Sequence, residues 1–481
     1  MPAASAVPAV DERLLTEGLE RLATALPGNQ GLLQAFGDLV RTGGDRTLVR
    51  INPVRFAERS GHATGEVLEL FLHARKLGLL AMEWQYVCPG CGDVVERLTS
   101  LTSASAHYFC QVCSADRDAD LSDFIAVTFS VSPTIRRSPY HDPWSLDPEA
   151  YFLEYRFTQD GAVDDGTPLR DHLRRCGVAF AYVEPGETRT FPVTAEPGFL
   201  WLTNGPALIV GEVRTTERRS FAFEYTGVRS TGFREEIAPG PVEIAFTNAT
   251  DERYALMITN LPGHYALTMQ PFLSGADVLS NQTFLDLFAA ETILTGEGLA
   301  VRRLALLFTD LQGSTALYDR IGDMKAFDLV RLHFGHLRDC ISRNSGALVK
   351  TIGDAVMATF VDPLDSLRAA LDMRTEIARF NAEAGNDLIG LKVGLHAGAC
   401  LAVTLNDRLD YFGQTVNIAA RVQALSRAGE VIVTDDILSL PGAAELVGDL
   451  EIESTSVELR GVAGEVRVHR LGGAPLLMPG T

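Results

Sequence analysis

The sequence predicts a multidomain α+β protein in which the part after Leu299 forms a separate α/β domain. Three observations predict it. The chain has 481 residues, too many for one core when a domain takes roughly 100 to 200. From about 126 to 265, short segments rich in Val, Ile, Phe, Tyr and Thr alternate with turn clusters, the pattern of a β-sandwich or barrel. Beyond Leu299, strands alternate with longer helical segments, which implies α/β layering.

With 46% apolar and 22% charged residues, and 22 Pro against 43 Gly, the composition is that of a folded chain. No window holds 18 consecutive apolar residues, and the N-terminal MPAASAVPAVDERLL lacks a basic segment followed by an apolar one. Neither a membrane span nor a secretory signal is expected, and a cytoplasmic location is. The net charge is −20, with 18 Lys plus Arg against 23 Asp plus Glu after residue 300. Thus −5 lies there and −15 before it, which opposes binding to nucleic acid or anionic lipid. Seven cysteines, an odd number, argue against a disulfide framework.

In chain order, residues 1–85 read as helical and winged-helix-like, with an apolar stripe of Leu68, Phe71 and Leu72 in EVLELFLHARKLGLL. Gly78 ends that helix and LLAMEWQYV reads as a strand. Residues 86–125 contain CPGCG and FCQVC, so Cys88 and Cys91 are separated by 18 residues from Cys110 and Cys113. Two such knuckles close a tetrahedral Zn²⁺ site, a zinc ribbon whose filled shell is structural rather than catalytic. Four reduced core cysteines, or a redox pair, are the plainer alternatives. Residues 126–270 form the β-sandwich-like module, through VAFAYVEPGE, TRTFPVTAEPG, FLWLTNGP, ALIVGEV, SFAFEYTG and PVEIAFTNATD. Residues 271–298 read as a linker with an amphipathic helix around Phe284, Leu287 and Phe288, suited to coupling two domains.

In LALLFTDLQGST, Leu304 to Phe308 is apolar as a strand buried on both faces should be, and Asp310 stands at its end. The chain then turns through Gly313, with Ser314 or Thr315 available as helix N-cap, so backbone N–H groups there can receive phosphate oxygens. AFDLVRLHFGHLRDCI carries a buried stripe of Ala326, Val330, Phe334, Leu337 and Ile341. ALVKTIGDAVMATF reads as a hairpin turning at Gly353 and Asp354. If it pairs beside the first strand, Asp310 and Asp354 converge, and two such carboxylates hold hard cations such as Mg²⁺ or Mn²⁺. Asp362-Pro363 begins another helix, and LIGLKVGLHAGACLAVTL supplies more strand. In DYFGQTVNIAARVQAL, a helix from near Thr415 puts Asn417 and Arg421 on one face and Ile418, Val422 and Leu425 on another.

FTDLQGST, KTIGD, DYFGQTVNIAAR and LRGVAGEVRVHRL, in this order and spacing, resemble the catalytic domain of class III nucleotidyl cyclases, the adenylate and guanylate cyclases, over about 299–472. The resemblance implies a ferredoxin-like α/β domain with active sites between two catalytic domains, hence a homodimer. It further implies Asp310 and Asp354 as ligands of two Mg²⁺ or Mn²⁺ ions, Lys350 and Asp410 as the adenine-reading pair, Asn417 on the ribose and Arg421 on the α-phosphate. Gly313 and Ser314 fall at the phosphate turn. Arg460 falls where the family often has a lysine for the terminal phosphates, a departure that keeps charge but changes shape. The implied reaction is ATP to cyclic AMP and pyrophosphate. A guanylate cyclase, a silent nucleotide-binding dimer, or a zinc-ribbon DNA-binding regulator with an appended enzyme are the competing expectations. The N-terminal part resembles the uncharacterised region ahead of some bacterial cyclase domains, which implies a regulatory module for a small-molecule or protein signal.

Overall fold

Leu68, Phe71 and Leu72 lie on the buried side of a helix over Thr64–Lys76, the last of four α-helices that precede the first strand. The computed structural model describes residues 10–113, 115–203, 207–210, 217–227, 234–288, 298–384, 389–406 and 408–472. The Gly-containing link after Phe288, and the ends of the FLWLTNGP and ALIVGEV segments, lie outside them. The chain divides into two compact units, one of residues 1–99, 107–119 and 124–273, the other of 100–106, 120–123 and 274–481.

In the first unit, the strand Leu80–Val87 pairs antiparallel with Val94–Leu98 on one side and Ile125–Val131 on the other. The expected start of the sandwich at 126 therefore falls inside a strand of this helix-backed sheet. Ile125–Val131 is buried along its whole length, and a short apolar run does not reveal which sheet it joins. The cysteine segment is the excursion between these neighbouring strands. Apart from the two-residue strand Gly161–Ala162, residues 139–176 are not the expected strands but short turns and helices ending in Leu169–Cys176.

The sandwich strands begin at Gly177. A five-stranded sheet, ordered Arg234–Ile237, Ala207–Val210, Gly198–Leu202, Tyr254–Leu261 and Gly177–Val183, shares an apolar cluster with a three-stranded sheet ordered Ser220–Tyr225, Gly240–Asn248 and Thr188–Ala195. Alternation accounts for it: Val242, Ile244 and Phe246 turn inward while their neighbours stay more exposed.

The second unit is built on an eight-stranded sheet. Its strands and longer helices are β1 (Leu299–Leu311), α1 (Ser314–Ile321), α2 (Asp323–Arg343), β2 (Ala347–Ile352), β3 (Ala355–Phe360), α3 (Pro363–Ala384), β4 (Leu391–Leu405), β5 (Arg408–Phe412), α4 (Gln414–Ala424), β6 (Val431–Thr434), β7 (Ile452–Glu458) and β8 (Glu465–Leu471). The strand order is β2-β3-β1-β4-β6-β8-β7, with β5 paired to β4. β4 and β6 are parallel; the other pairs are antiparallel.

Odd-numbered residues of β1 and β4, such as Leu307 and Leu395, join Leu337, Ile341 and Met373 of α2 and α3 in one core. On the opposite face, Ile418 and Val422 of α4 pack with Ile432 and Val468. Gly394 makes this second layer close: a Cβ there would stand 2.2 Å from the backbone nitrogen of Gln423. Residues 274–288, read from the sequence as a linker with one amphipathic helix, form two short helices in this unit, the second over Gln282–Leu287 where that helix was expected, with Phe284 buried and Gln282 Oε1 accepting from Leu348 N at 2.8 Å. The loop 120–123 clasps the start of β1, Leu121 N donating to Ala300 O at 2.9 Å and Arg302 pairing with Asp120 and Asp123.

Candidate functional site

Asp310 is an even-numbered residue near the end of β1, so it projects from the face that carries α4, and register sets it opposite Lys392 of β4. Lys392 Nζ lies 2.6 Å from Asp310 Oδ2. Asp354 occupies the two-residue turn between β2 and β3, with Gly353 at φ +65°. Because Thr309 pairs with Val356, Asp310 and Asp354 come to the same end of the sheet. Asp354 Oδ2 is buried and has no hydrogen-bond partner, a costly state for a carboxylate oxygen unless a cation meets it.

Gly313 introduces α1 with φ +73°. The sequence suggested Ser314 or Thr315 as the N-cap; instead Gly313 caps and Ser314 is the first helical residue. The left-handed conformation is open to Gly at no steric cost, and no side-chain cap occupies the first-turn N–H groups. They remain available to an anion.

Lys350 reaches this face through an irregularity. Leu348 pairs with Ala358, but Lys350 pairs with Met357, so Val349 is an extra residue in β2. In a regular strand Lys350 would share the face of Leu348, which packs on the α2/α3 core; the bulge turns it to the other side. There Lys350 Nζ lies 2.6 and 2.8 Å from the Asp410 carboxylate, although 60 residues separate them. Asp410 is nearly buried and also accepts from Tyr411 N at 2.8 Å.

Asn417 and Arg421 share one face of α4 as expected. Asn417 is exposed; Arg421 is half-buried, with Nη1 buried and unpartnered. Gly461, at φ +74°, lies against the Arg421 guanidinium: a Cβ there would be 3.5 Å from Nη1 and Nη2. Arg460, beside it, is exposed. Among the described residues, no hydrogen bond or ion pair joins Asp310 or Asp354 to Lys350, Asp410, Asn417 or Arg421. Lys392 is the site residue that the sequence did not single out. The available signal was one cation inside the apolar run LIGLKVGL.

In the first unit, the ligand atoms of Cys88, Cys91, Cys110 and Cys113 all lie within 4.8 Å of one another, with Cys88–Cys113 and Cys91–Cys110 sulfur separations of 3.7 Å. Thiolates about 2.3 Å from a tetrahedral Zn²⁺ stand roughly 3.8 Å apart, so two of the sulfur pairs stand at the spacing such an ion needs and the quartet could hold one. Hydrogen bonding from Cys110 holds the Cys88 thiol down, while burial pushes the Cys91 thiol up.

Two family models match the chain. Residues 300–471 match the adenylate and guanylate cyclase catalytic domain, and residues 22–286 match a family of unknown function, DUF5939. An adenylate cyclase of Rhizobium meliloti is 30% identical over 146 residues, covering 27% of this chain and 40% of the relative. A pH-sensitive adenylate cyclase of Mycobacterium tuberculosis is 30% identical over 171 residues, covering 35% and 41%. Among solved structures, the adenylyl cyclase CyaB of P. aeruginosa aligns with 37% of this chain and 98% of its own, at 19% identity and a TM-score of 0.32. The chain spans less than half the length of the curated relatives it matches.

Proposed function

This chain belongs to the DUF5939 family of unknown function and carries an adenylate and guanylate cyclase catalytic domain behind that region, and from that premise we propose that it is an adenylate cyclase, converting ATP to 3′,5′-cyclic AMP and pyrophosphate. The observation that carries the reading is the Lys350–Asp410 pair, 2.6 and 2.8 Å apart on the α4 face. An ammonium beside a carboxylate can donate to adenine N1 and accept from its amino group. Guanine presents the opposite pattern on that edge, so the pair favours ATP over GTP.

Asp310 and Asp354 would hold two Mg²⁺ or Mn²⁺ ions. The orphaned Oδ2 of Asp354 and the ammonium already resting on Asp310 support that fit, since each marks a position where positive charge is stabilising. Bound there, the metals supply acidity to the ribose 3′-hydroxyl and charge to the triphosphate. Asn417 orients the ribose. The 3′-oxygen attacks the α-phosphorus in line, the bond to the bridging oxygen breaks, and pyrophosphate leaves. Arg421 meets the charge that develops on the α-phosphate, an effect worth roughly 10² to 10³ in rate for such donors; its unpartnered Nη1 is a donor free for that use. The first-turn N–H groups at Gly313 and Ser314, with Arg460 and Lys392, receive the other phosphates.

The active enzyme is a homodimer, the aspartates of one chain completing a site with Lys350, Asp410, Asn417 and Arg421 of the other. The lack of direct bonds between these sets within the described chain supports sharing. One structural Zn²⁺ in the cysteine quartet stabilises a zinc ribbon in an N-terminal module that regulates the enzyme inside the cell, in response to a small molecule or protein.

The test is product formation by the full-length protein given ATP or GTP with Mg²⁺ or Mn²⁺, with Asp310→Ala as blank. Cyclic AMP from wild type alone supports the reading. Cyclic GMP formed from GTP in preference would make it a guanylate cyclase, and saturable ATP binding with no product would make it a silent sensor.

A further inference from the structure

Arg50 is held by its backbone in a conformation few non-glycine residues adopt. Its φ is +53°, its N–H donates to Ser130 Oγ at 3.1 Å, and the next residue, Ile51, exchanges two backbone hydrogen bonds with Phe129. The side chain points inward and is 9% exposed.

Arg50 Nη1 donates to the Tyr155 carbonyl. That leaves Nε and Nη2, the two N–H groups that point the same way and match two oxygens of one oxyanion. Both are buried and neither has a partner. The guanidinium stands 3.9 Å from the centre of the Tyr155 ring, and Arg97 stands 4.4 Å from the same ring. Nε of Arg97 and Nε of Arg46 are likewise buried and unpartnered. Burial, reinforced by the charges of Arg97 and Arg46, pushes the Arg50 pKa down to about 9.

Among the described residues no carboxylate forms an ion pair with Arg50 or Arg97, and the acidic groups of this region have other partners. Glu83 accepts from Gln85 Nε2 at 3.2 Å, Glu154 from the Tyr140 hydroxyl, and Asp160 pairs with Arg55 at 3.0 Å. The Tyr155 ring satisfies the face of a guanidinium but not its in-plane N–H groups. Arg156, in the same unit, shows the filled arrangement: Nε and Nη2 bind the two oxygens of Asp93 at 2.9 and 3.2 Å. A buried cation without such a partner is strongly destabilising.

We propose that Arg50 and Arg97 form a binding site for a phosphate-type dianion seated on the Nε/Nη2 fork of Arg50. Two guanidiniums on one ring, with buried donors left over on both, favour a doubly charged oxyanion over a carboxylate. The donor is either inorganic phosphate or the phosphate end of a monoester, and the site gives the N-terminal unit a ligand chemistry independent of the catalytic reading.

The experiment uses full-length protein dialysed free of phosphate, Mg²⁺ and Mn²⁺, titrated with inorganic phosphate, AMP or acetate at constant ionic strength while melting temperature and heat of binding are followed. Phosphate is expected to raise the melting temperature saturably, and acetate is not. Arg97→Gln should weaken phosphate at least tenfold and melt like wild type without it. Arg50→Met should abolish the response and, in phosphate-free buffer, melt no lower than wild type, because it removes an unpaired buried charge. AMP binding that Arg97→Gln weakens and that is at least tenfold tighter than phosphate assigns the site to a monoester; Arg97-dependent AMP binding that is equal or weaker assigns it to the inorganic ion. No saturable response to either, or a response that both variants leave unchanged, overturns the site. So does an Arg50→Met protein that melts well below wild type without phosphate, since Arg50 would then be a structural tie between the Tyr155 ring and its carbonyl.

Discussion

Lys392 Nζ sits 2.6 Å from Asp310 Oδ2, across a register that makes the two residues direct partners on β4 and β1. The ammonium occupies the ground a divalent cation would take, so metal and lysine compete for one carboxylate. Lys392→Gln is expected to tighten Mn²⁺ binding without nucleotide by up to about fivefold, the upper range for a partly exposed ion pair, and to raise KM for ATP because a phosphate-facing charge is lost. Calorimetry with Mn²⁺ and steady-state kinetics check the two halves separately.

Asp354 and Arg421 belong to sets that do not touch within the described chain. Asp354→Ala and Arg421→Ala chains are each expected to be inactive and folded. Mixed and reassociated, they should recover activity, since one of the two interface sites in a heterodimer keeps all its groups. A verified mixed dimer that stays silent would count against shared sites.

Val349 is the extra residue that turns Lys350 onto the α4 face. Deleting it leaves Leu348 opposite Ala358 and Lys350 opposite Met357, so a regular β2 still presents Lys350 to the α4 face, and kcat/KM for ATP should stay well above that of Lys350→Ala. The loss of one charge-assisted hydrogen bond, about 1.5 to 3 kcal/mol, corresponds to roughly 10- to 100-fold. Retained circular dichroism with activity as low as that of Lys350→Ala would refute this account of the bulge.

The cysteine quartet should bind one Zn²⁺ per chain. Elemental analysis of purified protein checks the stoichiometry. Cys110→Ser, which removes a fully buried ligand, should lower the metal content and the melting temperature of the N-terminal unit together. A metal-free wild type with full stability would leave four reduced thiols as the better description.

His333 on α2 is fully buried, and burial pushes its pKa down to about 4. The unfolded chain, titrating near the ordinary value of about 6.5, then binds a proton that the folded chain does not. Stability is complete above pH 6.5 and declines as pH falls toward 4, by at most about 3 kcal/mol from this group. Urea melts of wild type and His333→Phe at pH 7 and pH 4.5 should show a smaller acid loss in the variant.

Much of the second unit was legible because its signals are local. The apolar run before Asp310 became β1, the Gly353-Asp354 turn closed the hairpin, and the stripe from Ala326 to Ile341 faced the core. The first unit was less legible. Ile125–Val131 reads as a strand in any setting, and only pairing with Leu80–Val87 assigns it to the helix-backed sheet. Tyr254–Leu261, interior in the five-stranded sheet, escaped notice because it is buried nearly throughout and shows little alternation.

The sequence by itself determined which residue types are present and at what local spacing: two cysteine knuckles, a carboxylate at a strand end, another in a tight turn, and a polar pair one helical turn apart. These follow from periodicity and turn chemistry, which act over a few residues. Tertiary structure alone decided that one extra residue in β2 brings Lys350 to Asp410, that Lys392 answers Asp310, and that Arg50 keeps an empty fork inside the N-terminal unit. Each depends on register or burial between segments far apart in the chain, and side-chain direction reverses with a shift of a single residue.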